Sequence, residues 1–394
     1  MKIIIAPDSF KGTLTSKEVA DIIAEEVALV FPECEIIKMP IADGGEGSVD
    51  VILSAVGGEI YSTEVLSPDD RLIEAYYGIA NNGTVIMEMA QSSGITKQNC
   101  LHPMTSTTYG FGQMILNALN TSDGIADDAG LNGENDNINE IRYFNLCIGG
   151  SATTDGGCGM AAALGVKFFN KQGGEFIPSG ETLIDIDKID TTGLDKRITK
   201  CNFTVMCDVD NPLYGTNGAA YVYGPQKGAN PDQIVILDAG LRHYGAILEK
   251  HFGKDFADIP GAGGAGGLGA GCLAFLNAEI QSGINAILNI YDFKEQCKDA
   301  DLVITGEGKL DSQSFQGKVL SGILRESGNV PVWSICGICD YGPEELNEKS
   351  VTGTRSEPVI VFEISEGIPQ DENIKEPGKH LRAATKKAMK ILTN

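Results

Sequence analysis

A repeated local pattern constrains the fold most: a short apolar run, a loop of turn residues, and then a stretch with helical spacing. Its first example begins with residues 3–6, a continuous apolar run of the kind that forms a strand buried on both faces of a parallel sheet. Thr15 and Glu18 then form a capping-box pattern, which predicts a helix that begins near Ser16. Because such units recur along the chain, the sequence predicts an α/β fold with a largely parallel sheet.

The same pattern predicts further strands in both halves of the chain. They lie at residues 35–39, 84–89, 144–148, 203–207, 302–305, 330–336 and 358–362. A chain of 394 residues is long enough to form two domains rather than one. Residues 121–140 interrupt the pattern with six acidic residues and no lysine or arginine, which predicts a solvated loop.

Composition limits the partners that the chain can have. The formal net charge is −24, which argues against nucleic acid and anionic membranes as partners. A site for a phosphate or a carboxylate would therefore need cations close to it. Lysines that stand beside a glycine in loop-like segments are candidates for that role: Lys11, Lys227, Lys309 and Lys318. With 49 glycines in the chain, chance is the alternative explanation.

The cysteines and the hydropathy indicate a reduced, cytoplasmic chain. Of the 10 cysteines, only Cys336 and Cys339 form a C-x-x-C pair, and no second pair or histidine cluster accompanies them. A zinc site needs about four ligands, so zinc is disfavoured. Cys336 ends an apolar run, which favours a buried structural role over a redox pair. No apolar stretch approaches the length of a membrane span, and the first residues do not resemble a signal peptide.

Four predicted strand-end loops share one composition: an acid, glycines, and a hydroxyl or a lysine. They are PDSFKG, ADGGEG, GGSATTDGG and TGEGKLD. Glycines expose backbone N–H groups to an anion, hydroxyls add donors, and carboxylates can hold Mg²⁺ or take a proton from a substrate hydroxyl. Phosphoryl transfer needs this mixture, which favours a kinase over a non-catalytic metabolite-binding protein.

Other enzyme classes fit the sequence less well. There is no Walker A motif, and the glycine-rich segment at residues 261–271 does not follow a strand, which disfavours a Rossmann dinucleotide site. That segment either brings its backbone close to a phosphate or packs a helix or hinge closely through glycine. The four histidines lie in none of the strand-end loops, which disfavours a serine hydrolase.

From Met1 to about Lys318, the chain resembles the bacterial glycerate kinase family. Eight segments carry the resemblance in that family's order: IIIAPDSFKGTLTSKEVA, IADGGEGSVD, TSTTYGFGQMI, IGGSATTDGGCGMAAALG, CDVDNPLYGTNGAA, YGPQKGA, PGAGGAGGLGAG and VITGEGKLDSQSFQGK. The resemblance implies ATP as co-substrate, Mg²⁺ as cofactor, and phosphorylation of D-glycerate. The usual product in the family is 2-phosphoglycerate, so the acceptor would be the C2 hydroxyl.

The resemblance also implies a fold of two α/β domains around a cleft. One is a flavodoxin-like, doubly wound domain built from both chain ends, at residues 1–65 and 286–394. The other is an inserted α/β domain with a mixed sheet, at residues 66–285. PDSFKG and ADGGEG would face the cleft from the first domain, and GGSATTDGG from the second.

Site roles are carried onto the matching loops as hypotheses. The expected catalytic residues are Asp8, Lys11 and Asp43. Lys11 and the nearby Ser9 would hold the carboxylate of glycerate. Asp43 or Asp8 would accept the proton of the reacting hydroxyl, or orient that hydroxyl. The other expected substrate contacts are Gly44, Gly45, Glu46, Ser151, Thr153 and Asp155.

The expected nucleotide and metal contacts lie later in the chain. The nucleotide contacts are Gly264, Gly266, Gly306, Gly308, Lys309 and Lys318. Asp208 and Glu307 are the expected metal ligands, since Mg²⁺ usually takes one or two carboxylates plus substrate phosphates. Local features do not distinguish C2 from C3, and a kinase for another small hydroxy acid is an alternative. The chain is expected to act as a monomer or a homodimer.

Overall fold

The computed structural model describes residues 1–10, 13–41, 47–128, 143–311, 314–315, 319–350, 358–364 and 375–392. The chain forms two compact units. Unit 1 consists of Met1–Asp43, Ser54–Val56 and Ile284–Asn394, and unit 2 consists of Gly44–Leu53 and Gly57–Gly283.

Strands and helices alternate through most of the described chain. The strands are β1 (Lys2–Ile5), β2 (Glu35–Lys38), β3 (Gly58–Leu66), β4 (Leu72–Ala80), β5 (Val85–Glu88), β6 (Tyr143–Cys147), β7 (Lys167–Asn170), β8 (Glu175–Phe176), β9 (Ile186–Asp190), β10 (Asn202–Met206), β11 (Glu279–Gln281), β12 (Leu302–Leu310), β13 (Val332–Cys339) and β14 (Ile360–Glu363).

The α-helices are α1 (Ser16–Val30), α2 (Ser48–Val56), α3 (Ala90–Ser93), α4 (Tyr109–Asp128), α5 (Cys158–Ala163), α6 (Ala219–Tyr223), α7 (Pro231–Phe252), α8 (Gly264–Phe275), α9 (Gly283–Ile290), α10 (Phe293–Gln296), α11 (Val319–Glu326), α12 (Pro343–Ser350) and α13 (Pro377–Leu392). Short 3₁₀ helices lie at Ile95–Lys97, Leu183–Asp185, Ile198–Lys200, Pro225–Lys227 and Cys297–Asp299. Among the described helices, none is both long and apolar enough to cross a bilayer.

Unit 1 is built on a parallel sheet of five strands in the order β14-β13-β12-β1-β2. The chain moves from β1 to β2 on one side, and from β12 through β13 to β14 on the other. This is the strand order of a flavodoxin-like, doubly wound sheet. The predicted α/β class is therefore confirmed, and the topological switch point of unit 1 lies between the neighbouring strands β1 and β12.

The first helix begins where its capping box predicts. The Thr15 hydroxyl accepts a hydrogen bond from the Glu18 backbone N–H (3.2 Å), and the Glu18 carboxylate accepts one from the Thr15 N–H (2.8 Å). Val19, Ile23 and Val27 share one face of α1 and are fully buried in the core of unit 1. The connection from β1 to α1 therefore starts at the carboxyl end of β1, beside the switch point.

Unit 2 is built on a mixed sheet of six strands in the order β11-β10-β6-β5-β4-β3. The strands from β11 to β5 are parallel, and β4 and β3 extend the sheet in antiparallel fashion. A separate antiparallel sheet has the order β8-β7-β9. β3 pairs with β4 along its whole length, so residues 58–66 belong to unit 2. The sequence places the start of this domain later, at residue 66.

Helix α4 extends further than the sequence predicts. The prediction of a solvated loop over residues 121–140 is wrong for residues 121–128, which complete α4. Residues 129–140 lie outside the described chain. The Tyr77 hydroxyl of β4 hydrogen-bonds the Thr121 hydroxyl (3.0 Å). This contact holds the helix where the local sequence turns acidic, and a helix that is already formed adds residues at low cost.

Candidate functional site

The switch point of unit 1 brings together two of the segments that the sequence singles out. The backbone N–H of Asp8 donates to the Gly306 carbonyl (2.8 Å), so the chain follows β12 after β1 has ended. The Asp8 carboxylate accepts the Ser9 N–H (2.6 Å), and both side chains are half-buried. Open α/β sheets bind ligands outside the carboxyl ends of their strands at such a point. Asp8, Ser9 and Gly306 therefore lie together at the edge of unit 1 where a ligand is expected.

The second of these segments differs from its predicted conformation. The sequence predicts that TGEGKLD is a strand-end loop, and this is wrong for residues 306–310, which include Gly308. These residues continue β12, because β13 pairs with them beyond the apolar run. The Glu307 carboxylate accepts the Ser314 hydroxyl (2.7 Å). The exposed Lys309 ammonium pairs with Asp340 (2.9 Å), and this hydrogen bond raises the pKa of Lys309. Lys309 thus stays a cation near the end of β12.

In unit 2, the loop GGSATTDGG follows β6 and packs against the segment that follows β5. The Ala152 N–H donates to the Ser93 carbonyl (3.0 Å). Since β5 and β6 are parallel neighbours, both segments leave the sheet at the same edge. Two of the predicted substrate contacts lie in this loop: Ser151 is 6% exposed, and Thr153 is fully buried.

Asp155, another predicted substrate contact, is fully buried at the end of the same loop. Its carboxylate accepts hydrogen bonds from the backbone N–H and the hydroxyl of Thr108 (2.8 Å each). It also accepts the N–H groups of Gly157 and Gly159 (3.1 Å each). Burial raises the pKa of Asp155, and these donors oppose the rise. The carboxylate therefore ties the loop to the first turns of α4 and α5, and its oxygens face its own chain.

The glycine-rich segment packs directly on this loop. Residues 265–267 have left-handed backbone angles inside α8, and the Gly266 carbonyl accepts the Gly156 N–H (3.1 Å). A Cβ on Gly266 would lie 1.9 Å from the Thr153 carbonyl oxygen. These contacts support close packing through glycine, one of the two interpretations that the sequence allows. The nucleotide contact of Gly266 and of the buried Gly264 stays a prediction.

We expect Gly266→Ala to lower the free energy of unfolding by about 3 kcal/mol or more, because backbone strain adds to a steric overlap. Gly266 has a φ of +71°, and its added Cβ would meet the Thr153 carbonyl. Gly253→Ala is the matched control, since its φ is +69° and nothing lies within 4 Å of its Cβ, so it should cost only about 1 kcal/mol. Urea unfolding followed by circular dichroism measures both, and equal losses would contradict the close contact.

The two predicted metal ligands lie in different units. Asp208 follows β10 in unit 2, is exposed, and accepts the Gly283 N–H (2.7 Å), whereas Glu307 lies on β12 in unit 1. Within the described ranges, no group of three or more His, Cys, Asp or Glu is placed to hold a metal ion. Mg²⁺ at a kinase site takes one or two carboxylates together with substrate phosphates, so the oxygen donors of either residue suit this ion.

The remaining predicted site residues lie outside the described chain. They are Lys11, Asp43, Gly44, Gly45, Glu46 and Lys318.

Sequence reasoning missed the buried Glu88 at the end of β5. Its carboxylate accepts the Val49 N–H at the start of α2 (2.7 Å) and the side-chain amide of Gln91 (3.3 Å). Burial raises the pKa of Glu88. Because α2 comes shortly after the ADGGEG segment, Glu88 anchors the first helical turn beyond that segment. The available signal was a single acid at the end of an otherwise apolar strand.

Known proteins are similar to this chain in sequence and in fold. The sequence model of the glycerate kinase family matches residues 3–393. A glycerate kinase from Halalkalibacterium halodurans is 39% identical over 379 residues, which cover 95% of each chain. A glycerate 2-kinase from Escherichia coli is 41% identical over 342 residues, which cover 86% of this chain and 85% of the relative. The crystal structure of a Salmonella typhimurium LT2 protein assigned as glycerate kinase 2 superposes with a TM-score of 0.80 at 34% identity, and the match covers 100% of this chain and 98% of the other.

Proposed function

Because the chain belongs to the glycerate kinase family, and is thus a kinase with an alcohol acceptor, we propose that it phosphorylates D-glycerate with Mg-ATP at the C2 hydroxyl. The product would be 2-phosphoglycerate. The observation that carries the proposal is the family match, which extends over nearly the whole chain. The Escherichia coli relative, whose name specifies a glycerate 2-kinase, supports the C2 position.

The chemistry proposed for the chain's own residues is a single phosphoryl transfer. The C2 hydroxyl oxygen forms a bond to the γ-phosphorus of ATP while the bond from that phosphorus to the bridging oxygen of ADP breaks. The hydroxyl proton passes to the carboxylate of Asp43 or Asp8. Lys11 and Ser9 hold the carboxylate of glycerate and so orient C2. The position of Asp8 and Ser9 at the switch point of unit 1 supports these roles.

The nucleotide phosphates need positive charge, because the chain as a whole is strongly acidic. We propose that Lys309 and Lys318 supply part of it, and that Asp208 or Glu307 holds Mg²⁺. When bound, Mg²⁺ would neutralise charge on the phosphates.

Removal of Mg²⁺ is expected to abolish turnover. Excess EDTA should reduce ADP release to the background rate, and Mg²⁺ added beyond the EDTA should restore it, because the phosphate charge is no longer neutralised without the metal. The coupled assay for ADP is run on acid-quenched, neutralised samples to which excess Mg²⁺ has been returned, because the coupling enzymes themselves need Mg²⁺. Unchanged turnover in EDTA would contradict the metal requirement.

The proposed function is tested by a substrate panel in the same coupled assay. D-glycerate should turn over, and L-glycerate and glycolate should turn over much more slowly, since a site that orients C2 depends on its configuration. If another hydroxy acid turns over faster than D-glycerate, that acid becomes the proposed substrate. ATP and D-glycerate binding without ADP release, in protein shown to be folded, would indicate a metabolite-binding protein.

A further inference from the structure

Lys227 is one of the glycine-flanked lysines that the sequence offers as a cation for an anion site, and it is a buried residue that the reaction proposed above does not use. It ends the 3₁₀ helix Pro225–Lys227 of unit 2, and only 2% of it is exposed. Lysine is rarely buried to this extent without a partner. Its Nζ donates to the Thr153 carbonyl (2.6 Å) and to the Ser151 hydroxyl (3.3 Å), so its ammonium group is hydrogen-bonded to the GGSATTDGG loop.

The protonated, charged form of Lys227 is destabilised in the free protein. Burial lowers the pKa of Lys227 to about 7, and the negative charge of Asp155 opposes the drop. Within the described ranges, Cys158 of α5 and Tyr244 of α7 also interact electrostatically with Asp155, and burial raises the pKa of each, which keeps them neutral. An anion bound near this loop would favour the protonated form of Lys227, because it would add a second negative charge.

The hydrogen bonds of the Ser151 hydroxyl show where such an anion would be bound. The hydroxyl oxygen accepts from Lys227 Nζ (3.3 Å) and from the Thr153 N–H (3.2 Å), which occupies both of its lone pairs. Its proton is left to donate. Among the residues that the structure describes, the acceptors for this proton are the Ala265 carbonyl (3.3 Å) and the oxygens of Thr153 (3.2 and 3.5 Å). All are longer than the usual O–H···O distance of about 2.7–2.8 Å, so the proton has no strong acceptor there.

We propose that Lys227 is a positioning residue, which fixes the Ser151 hydroxyl as a hydrogen-bond donor to an anionic oxygen of a substrate, either a carboxylate or a phosphate. The proposal rests on the proposed function and deepens it. In this role Lys227 acts through Ser151, because its ammonium donates to that hydroxyl and only 2% of the lysine is exposed. No covalent bond to the protein forms or breaks in this role.

A double-mutant cycle tests whether Lys227 acts through Ser151. Lys227→Met should lower kcat/KM about 10- to 100-fold, the range expected for one charge-assisted hydrogen bond. In a Ser151→Ala background, the same substitution should cost less than about threefold, because the hydroxyl that it positions is gone. Additive losses would overturn the proposal. Lys171→Met, at an exposed lysine of the same unit, is the control and should leave kcat/KM unchanged.

The same variants identify which substrate the Ser151 hydroxyl contacts. A rise in KM for D-glycerate in Lys227→Met and Ser151→Ala assigns the hydroxyl to the carboxylate, and a rise in KM for ATP assigns it to a phosphate. A loss of kcat with both KM values unchanged would contradict anion binding by Ser151.

The pH profile separates a positioning role from a structural one. In the unsubstituted protein, kcat/KM should fall as the pH rises through about 7, because Lys227 loses its proton there. The Lys227→Met variant has no such proton, so this decline should be absent from its profile. A structural role would lower the yield of folded protein without changing the shape of the profile.

Failure of the proposed function is distinguishable from failure of this inference. If the unsubstituted protein does not phosphorylate D-glycerate, the proposed function fails, and calorimetric titration with D-glycerate and with inorganic phosphate then tests Lys227 directly. Weaker binding of either anion to Lys227→Met and Ser151→Ala, but not to Lys171→Met, supports the inference. Equal binding to all variants, or no binding of either anion, overturns it.

Discussion

Asp43→Asn is expected to lower kcat by about 10²- to 10⁴-fold, the contribution of a positioned general base. An amide of nearly the same shape cannot take the proton of the C2 hydroxyl, so the loss should appear in kcat while the protein stays folded. The coupled ADP assay measures kcat, and circular dichroism checks the fold. Asp50→Asn, at an exposed acid seven residues later on α2, is the control and should change kcat less than about twofold.

The same substitution at Asp8 decides which carboxylate takes the proton. If Asp43 is the base, Asp8→Asn should cost less in kcat than Asp43→Asn, because Asp8 would then only orient the substrate. A full loss in Asp8→Asn together with undiminished turnover in Asp43→Asn would transfer the role to Asp8. The position of Asp8 beside Gly306, at the switch point of unit 1, makes it the natural second candidate.

Asp155→Ala is expected to lower the free energy of unfolding by about 3–5 kcal/mol, because it leaves several buried donors without an acceptor. The Thr108 and Gly157 N–H groups lose their partner in a fully buried site. Urea unfolding followed by circular dichroism measures the loss. Asp187→Ala, at an exposed aspartate on β9, should change stability by no more than about 0.5 kcal/mol.

A second variant keeps this prediction testable if Asp155→Ala does not fold. Asp155→Asn preserves the shape and one acceptor oxygen but turns an N–H₂ group toward the donors, so it should lose less stability than the alanine variant and more than Asp187→Ala. Wild-type stability in Asp155→Asn would contradict the role of the carboxylate as the organiser of the loop.

The parts of the fold that the sequence predicted correctly depend on local interactions. The capping box of Thr15 and Glu18 starts α1 within its own first turn, and the apolar run at residues 3–6 coincides with β1 except at its ends. Both signals lie within a few residues of the structure that they determine. The alternation of such units was therefore enough to predict the α/β class.

The errors of the sequence analysis come from distant contacts. β12 continues to Leu310 because β13, about 29 residues away in register, supplies its hydrogen-bonding partner. α4 continues to Asp128 and includes Thr121, whose hydroxyl hydrogen-bonds Tyr77 on β4. Local rules for glycine, lysine and aspartate do not contain this information, so they predict a loop in both places.

For the candidate site residues, the sequence indicates which residues lie near a ligand site better than it indicates which of them are buried. Asp8 and Gly306 come together because the segment that follows β1 continues alongside its parallel neighbour β12, and the sequence places both segments at the carboxyl side of an apolar run. The burial of Asp155 and of Lys227 depends on how α4, α5 and α8 pack around one loop, and a linear pattern does not encode that packing. The sequence identifies Asp155 as a candidate substrate contact and Lys227 as a candidate cation, but their burial and their hydrogen-bond partners required the structure.

The most direct measurement is a proton-coupled phosphorus NMR spectrum of the product formed from Mg-ATP and D-glycerate. Phosphate on C2 is attached to a carbon that bears one proton, so we expect a new phosphomonoester signal split into a doublet, together with the signals of ADP. A triplet would place the phosphate on the CH₂ group at C3 and contradict the proposed position. The absence of any new phosphomonoester, in protein shown to be folded, would contradict the glycerate kinase activity itself.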